Sequence, residues 1–134
     1  MNVSELKSVL EYSETLFENA SSPMITINEG GIIQKFNESA CKTFGYMKEE
    51  VIGENIKMLM PEEIASHHDG YLMRYKETGE KKVIGSTREV PGMTKEGVRL
   101  QFQLKVNEVR LRGVRQYVAI MHDITGERRK IRER

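Results

Sequence analysis

The chain has 134 residues, 38% of them apolar and 31% charged, enough for one domain with a single buried core. No apolar run approaches the about 18 residues that a membrane-spanning helix needs, and Met1-Asn2-Val3-Ser4 opens no secretory signal. A net charge of +1 gives no general attraction to nucleic acid or to a membrane surface, and the lone Cys41 excludes an internal disulfide and fits a reducing, cytoplasmic setting.

Ser4 is the expected cap of a first helix, in which Leu6, Val9, Leu10, Tyr12, Leu16 and Phe17 recur at helical spacing as far as Asn19. Its apolar residues fall on two sides, which points to packing on a sheet, on a second subunit, or on both. Ser21-Ser22-Pro23 breaks it. Met24–Ile27 reads as a strand, Glu29-Gly30-Gly31 as a turn and Ile32–Phe36 as the hairpin partner. Three short helical pieces follow, from Asn37 to about Gly45, from Lys48 to Gly53, and from Asn55 to Leu59, the last ended by Met60-Pro61. A longer helix is expected from about Glu62 to Glu77, closing at Thr78-Gly79. Strands resume at Lys82–Val90 and, after a turn at Thr94–Gly97, at Val98–Val106, where apolar residues alternate with Arg99, Gln101, Gln103 and Lys105. Arg112-Gly113 turns the chain into a last strand, Tyr117–Ile124, and Gly126–Arg134 reads as a charged helix leaving the domain. The sum is an α+β arrangement of five antiparallel strands with helices on one face.

The chemistry concentrates between the long helix and the strand after it. His68 is followed by Asp69-Gly70-Tyr71-Leu72 and Arg74-Tyr75, and Ile84-Gly85-Ser86-Thr87 leads to Arg88. An imidazole, several cations and a hydrogen-bond donor on a second element suit a flat, anionic, iron-bearing ligand. An enzyme is not expected: there is no glycine-rich phosphate loop or metal-cluster spacing, and His67, His68 and His122 sit in no triad order. Arg128, Arg129, Lys130, Arg132 and Arg134 crowd the end without aromatic interleaving, so they read as a solvated helix or linker and not as a nucleic-acid site.

The order of elements, with its local phrases, resembles a PAS domain. The phrases are Gly31-Ile32-Ile33 with Phe36-Asn37, Ala40 with Phe44-Gly45-Tyr46, Glu50-Val51-Ile52-Gly53, Met60-Pro61, Thr94-Lys95-Glu96-Gly97 and Asp123-Ile124-Thr125. The likeness covers about residues 13–126. It implies an N-terminal flanking helix (1–20), a sensory core (21–126) and the start of a C-terminal linker or signalling helix (127–134). It also implies a homodimer formed through the first helix, and an output domain attached in the full-length protein.

The segment from His68 to Arg88 is similar to the haem-binding, FixL-type oxygen sensors. That likeness implies haem b as cofactor, His68 as the iron ligand, and Arg88 as the donor to a bound diatomic gas, O2 first among O2, CO and NO. Arg74 and Lys82 are then partners of the haem propionates. Tyr71, Leu72 and Tyr75 share the His68 face, and Val83, Ile84, Leu104 and Val106 supply apolar walls. Lys82 departs from the histidine common at that position in the subfamily, and Ser86 and Thr87 are more polar than its usual residues.

Each residue also has a plainer reading. His68 can be an exposed polar residue, with His67 as its rival; Arg88 can be a surface arginine paired with a carboxylate such as Glu89; Lys82 can be a solvated lysine; Val83, Leu104 and Val106 are core with or without a cofactor. In Gly53-Glu54-Asn55-Ile56, isoleucine stands where flavin-binding light sensors carry a reactive cysteine, and Cys41 reads as packing. Covalent flavin chemistry is therefore excluded. A ligand-free PAS module for dimerisation or protein contact, or a noncovalent flavin pocket, remain the alternatives to haem.

Overall fold

The computed structural model describes residues 1–65 and 87–127. Helix α1 (Val3–Asn19) is capped by Asn2, not by the expected Ser4. Asn2 Oδ1 accepts from Glu5 N at 2.8 Å while Asn2 Nδ2 donates to Glu5 Oε1 at 3.0 Å, so a reciprocal pair starts the helix two residues earlier. None of its residues is buried, and Leu6, Val9, Leu10, Tyr12 and Leu16 are all exposed.

Strands β1 (Met24–Asn28) and β2 (Ile33–Phe36) form the expected hairpin. Asn28 Oδ1 accepts from the N–H groups of Gly30 and Ile32, each at 2.9 Å, and Gly31 takes φ +81°. A side-chain acceptor and a left-handed glycine thus close the turn. The helical pieces follow as read: α2 (Glu38–Phe44) between its cap Asn37 and the left-handed Gly45, α3 (Lys48–Val51), and a single 3-10 turn, Ile56–Leu59. Residues 62–65 are helical, and the remainder of the long helix expected to reach Glu77 lies outside the described residues.

Strands β3 (Thr87–Met93), β4 (Arg99–Leu111) and β5 (Val114–Asp123) complete one antiparallel sheet, ordered β2-β1-β5-β4-β3. Three strand ends differ from expectation by more than a residue or two. β3 runs on through Pro91-Gly92 to Met93, because it is an edge strand, where a missing N–H is tolerated. β4 and β5 extend past Val106 and before Tyr117, paired from Asn107↔Val118 to Leu111↔Val114.

The core lies between the sheet and α2, α3 and the 3-10 turn. Ile25, Ile33, Phe36, Phe102 and Tyr117 from the strands meet Ala40, Phe44 and Val51 from the helices, all at most 1% exposed. The Phe44 ring lies 5.3 Å from Phe102 and 6.2 Å from Phe36, within the range of favourable aromatic pairs. The chain enters and leaves the sheet at one end: Met24 pairs with Ile120, and Met121 N donates to Pro23 O at 3.0 Å. There Thr125 Oγ1 donates to Asp123 Oδ1 at 2.6 Å and accepts from Gln101 N at 2.9 Å, which ties the departing chain to β4.

Candidate functional site

Side chains alternate across a strand, so register decides which of them share a face. Arg88 pairs with Leu104, which pairs on its other side with Met121; Val106 pairs with Ala119, which pairs with Ile25. Phe102, two residues from Leu104, is fully buried, so this is the core side of the sheet. Leu104, Val106, Val90 and Ala119 are half-buried and packed against the core. Arg88 is half-buried as well. The result is a floor of aliphatic side chains with one guanidinium at its border, a surface suited to a flat apolar ligand with a polar edge.

Three of the candidate residues, Arg88, Leu104 and Val106, are therefore brought onto one face. The others, His68, Tyr71, Leu72, Arg74, Tyr75, Lys82, Val83 and Ile84, lie outside the described residues. Among the described residues no cluster of three or more His, Cys, Asp or Glu is arranged to hold a metal ion. The apolar floor and the Arg88 guanidinium have the chemistry that the apolar body and polar rim of a haem would need.

Sequence reasoning missed the neighbours that register supplies. Tyr117, Ala119 and Met121 share the floor, and the alternation within Tyr117–Ile124 was the signal that could have found them. Beyond Val106 the same side turns charged. Glu108 Oε1 accepts from Arg110 Nε at 3.0 Å and forms an ion pair with Arg115, 2.7 Å from its Nε, with Glu29 3.7 Å from Arg115. Glu108 and Arg115 are 17% and 20% exposed, so the pairing satisfies charges that are largely withdrawn from water. Burial pushes the neighbouring Tyr117 phenol above its ordinary pKa, so it is a neutral hydroxyl at physiological pH.

Cys41 is half-buried against the core, and burial, aided by Glu38, raises its pKa, so it stays a thiol. Ile56 is buried in the core, which leaves no sulfur at the flavin-reactive position. His122 is exposed and lies 3.8 Å from the Glu127 carboxylate.

A family model described as the PAS fold matches residues 11–124. The chain belongs to the PAS-fold family. This PAS domain is 36% identical to the sensor protein FixL of Bradyrhizobium diazoefficiens over 102 residues, 76% of the chain and 20% of that protein. It is 34% identical to the oxygen sensor protein DosP of Escherichia coli over 103 residues, 77% of the chain and 13% of that protein. The chain thus spans a fifth or less of the length of these two relatives. Among solved structures, the PAS domain of an HTR-like protein from Haloarcula marismortui superposes with a TM-score of 0.73 at 22% identity, covering 90% of this chain and 96% of that one. An RNA-binding Light-Oxygen-Voltage receptor gives a TM-score of 0.70 at 17% identity, covering 95% of this chain and 35% of that one. At such identities these structures speak for the fold alone. No helix among the described residues is long and apolar enough to cross a membrane.

Proposed function

We propose that this PAS domain is a cytoplasmic sensory module that holds haem b, binds a diatomic gas, O2 foremost, and relays the event to an attached output domain. The observation that carries the reading is the common face of Arg88, Leu104 and Val106, a cation beside an apolar floor. The 34–36% identity to proteins named as a sensor and as an oxygen sensor supports it.

Bound haem would supply the iron to which a gas coordinates. His68 would hold that iron through one ring nitrogen, with the other nitrogen donating to a carbonyl or carboxylate that fixes the ring. Arg74 and Lys82 would pair with the propionates, while Tyr71, Leu72, Tyr75, Val83, Ile84, Leu104 and Val106 exclude water from the ring faces. Arg88, permanently charged, would donate hydrogen bonds toward the gas. The core (21–126) then passes the change to the flanking helix (1–20) and to the linker beginning at 127. Two copies pair through α1, whose apolar side chains stand exposed.

The deciding experiment is the absorption spectrum of the purified protein before and after hemin is added. An intense porphyrin band, lost in a folded His68→Ala variant, is the expected result. Protein that stays colourless with hemin, or carries a flavin spectrum instead, overturns the reading.

A further inference from the structure

Asn37 is the cap of α2 and has no exposed surface. Its amide uses its full hydrogen-bonding capacity. Oδ1 accepts from Ala40 N at 3.0 Å and from Met24 N at 2.9 Å. Nδ2 donates to Phe17 O at 2.9 Å and to Ser22 O at 3.0 Å. Capping alone needs the oxygen, which aspartate or serine would supply equally well. The nitrogen does something else: it holds one of the final carbonyls of α1, which have no partner within the helix.

Among the described residues, other side-chain contacts of α1 with the domain gather at the same place. Glu18 pairs with Lys48 and Lys35 stands 5.8 Å over the Phe17 ring, and just beyond the helix Ser39 Oγ donates to Ser21 O at 2.9 Å. From Val3 to Leu16 the helix is exposed. A 17-residue rod of about 25 Å is thus attached by its last turn. Of these anchors Asn37 is the fully buried one, and it also grips β1 and α2 and follows directly on β2.

We propose that Asn37 is a coupling joint: its amide nitrogen fixes the direction of α1, and movement of β2 or α2 reaches α1 through it. Asn37 is a positioning residue in this role. The proposal stands whether or not haem is the cofactor.

The test uses the full chain with Cys41→Ser, spin labels at Ser8→Cys and Gln103→Cys, and dilution with unlabelled protein to isolate distances within one copy. Asn37→Asp keeps the acceptor for Ala40 and Met24 but turns an oxygen toward two carbonyl oxygens. At neutral pH the distance distribution should broaden or shift. Amide exchange in the last turn of α1 should rise about tenfold, as expected for two lost hydrogen bonds, while β4 and β5 keep their protection. Asn37→Ser, which also caps but cannot reach both carbonyls, gives the same readout should the aspartate variant not fold. An unchanged distribution and unchanged exchange would reduce Asn37 to a helix cap. A rise shared equally by α1, β4 and β5 would reduce it to a general stability residue.

Discussion

Arg88 on β3 stands directly across from Leu104 on β4, so its side chain leaves the sheet on the side of buried Phe102, while Glu89 leaves on the side of exposed Gln103. A permanently charged fork on the core side of an edge strand can also donate to a polar ligand bound on that side.

Arg88→Ala should therefore weaken oxygen binding by the hemin-loaded ferrous protein about 10- to 100-fold, the equivalent of a charge-assisted hydrogen bond of ~1.5–3 kcal/mol. Carbon monoxide, a poorer acceptor, should be affected far less, and Arg88→Lys should recover part of the loss because it keeps the charge but not the fork. Equal loss for both gases in flash-photolysis measurements would remove Arg88 from any discriminating role.

The exposed side of α1 gives a second prediction. Leu6 and Leu10 are 49% and 53% exposed and one helical turn apart. Changing both to glutamate should convert a dimer into a monomer in light scattering with circular dichroism unchanged. A mass that does not respond would show that the copies do not meet through α1.

Among the described glycines, Gly92 is the one most closely approached by buried side chains. A Cβ there would lie 2.5 Å from Phe102 Cε2 and 3.3 Å from Phe44 Cε1, both on fully buried rings. Gly92→Ala should cost about 1–3 kcal/mol and lower the melting temperature by about 5–15 °C. Gly126→Ala, where a Cβ meets open space, should leave it unchanged.

The turn between β3 and β4 should loosen at both pH extremes. Lys95, hydrogen-bonded to Glu50, holds that carboxyl below its ordinary 4.5, helped by the Met47 N–H, and Glu50 holds the Lys95 ammonium above its ordinary 10.5. A depressed carboxylate stabilises the fold above its ordinary value and ceases to as pH falls through the depressed one. A raised ammonium stabilises below its ordinary value and ceases to as pH rises through the raised one. The pairing thus contributes fully between 4.5 and 10.5. Titration of the Glu50 carboxyl by NMR should show an upward shift in Lys95→Met; no change would separate the two groups in solution.

Much of this fold is legible in the residues. The alternation Leu100, Phe102, Leu104, Val106 marks β4 and its core side, and Asn37 and Gly45 bracket α2. What the sequence hid has physical causes. β4 continues past Val106 although the core-side position 108 holds glutamate, because two guanidinium groups from β4 and β5 satisfy it. β3 continues through Pro91-Gly92 because its outer edge needs no N–H and Phe102 needs the space. Of the candidate site, Arg88, Leu104 and Val106 could be named from the sequence as candidates, but their common face follows from a pairing between distant segments that composition does not encode. Similarly, the apolar side of α1 could be read, whereas its attachment by one turn could not.

The neighbouring positions of the first and last strand ends have a practical consequence. A peptide joining Thr125 back to Ser21 would link the segments that continue from the hydrogen-bonded Met121 and Pro23, and new ends opened at the exposed Arg112-Gly113 turn would cut no strand. Such a circular permutant, without α1, would keep all five strands in their ladder.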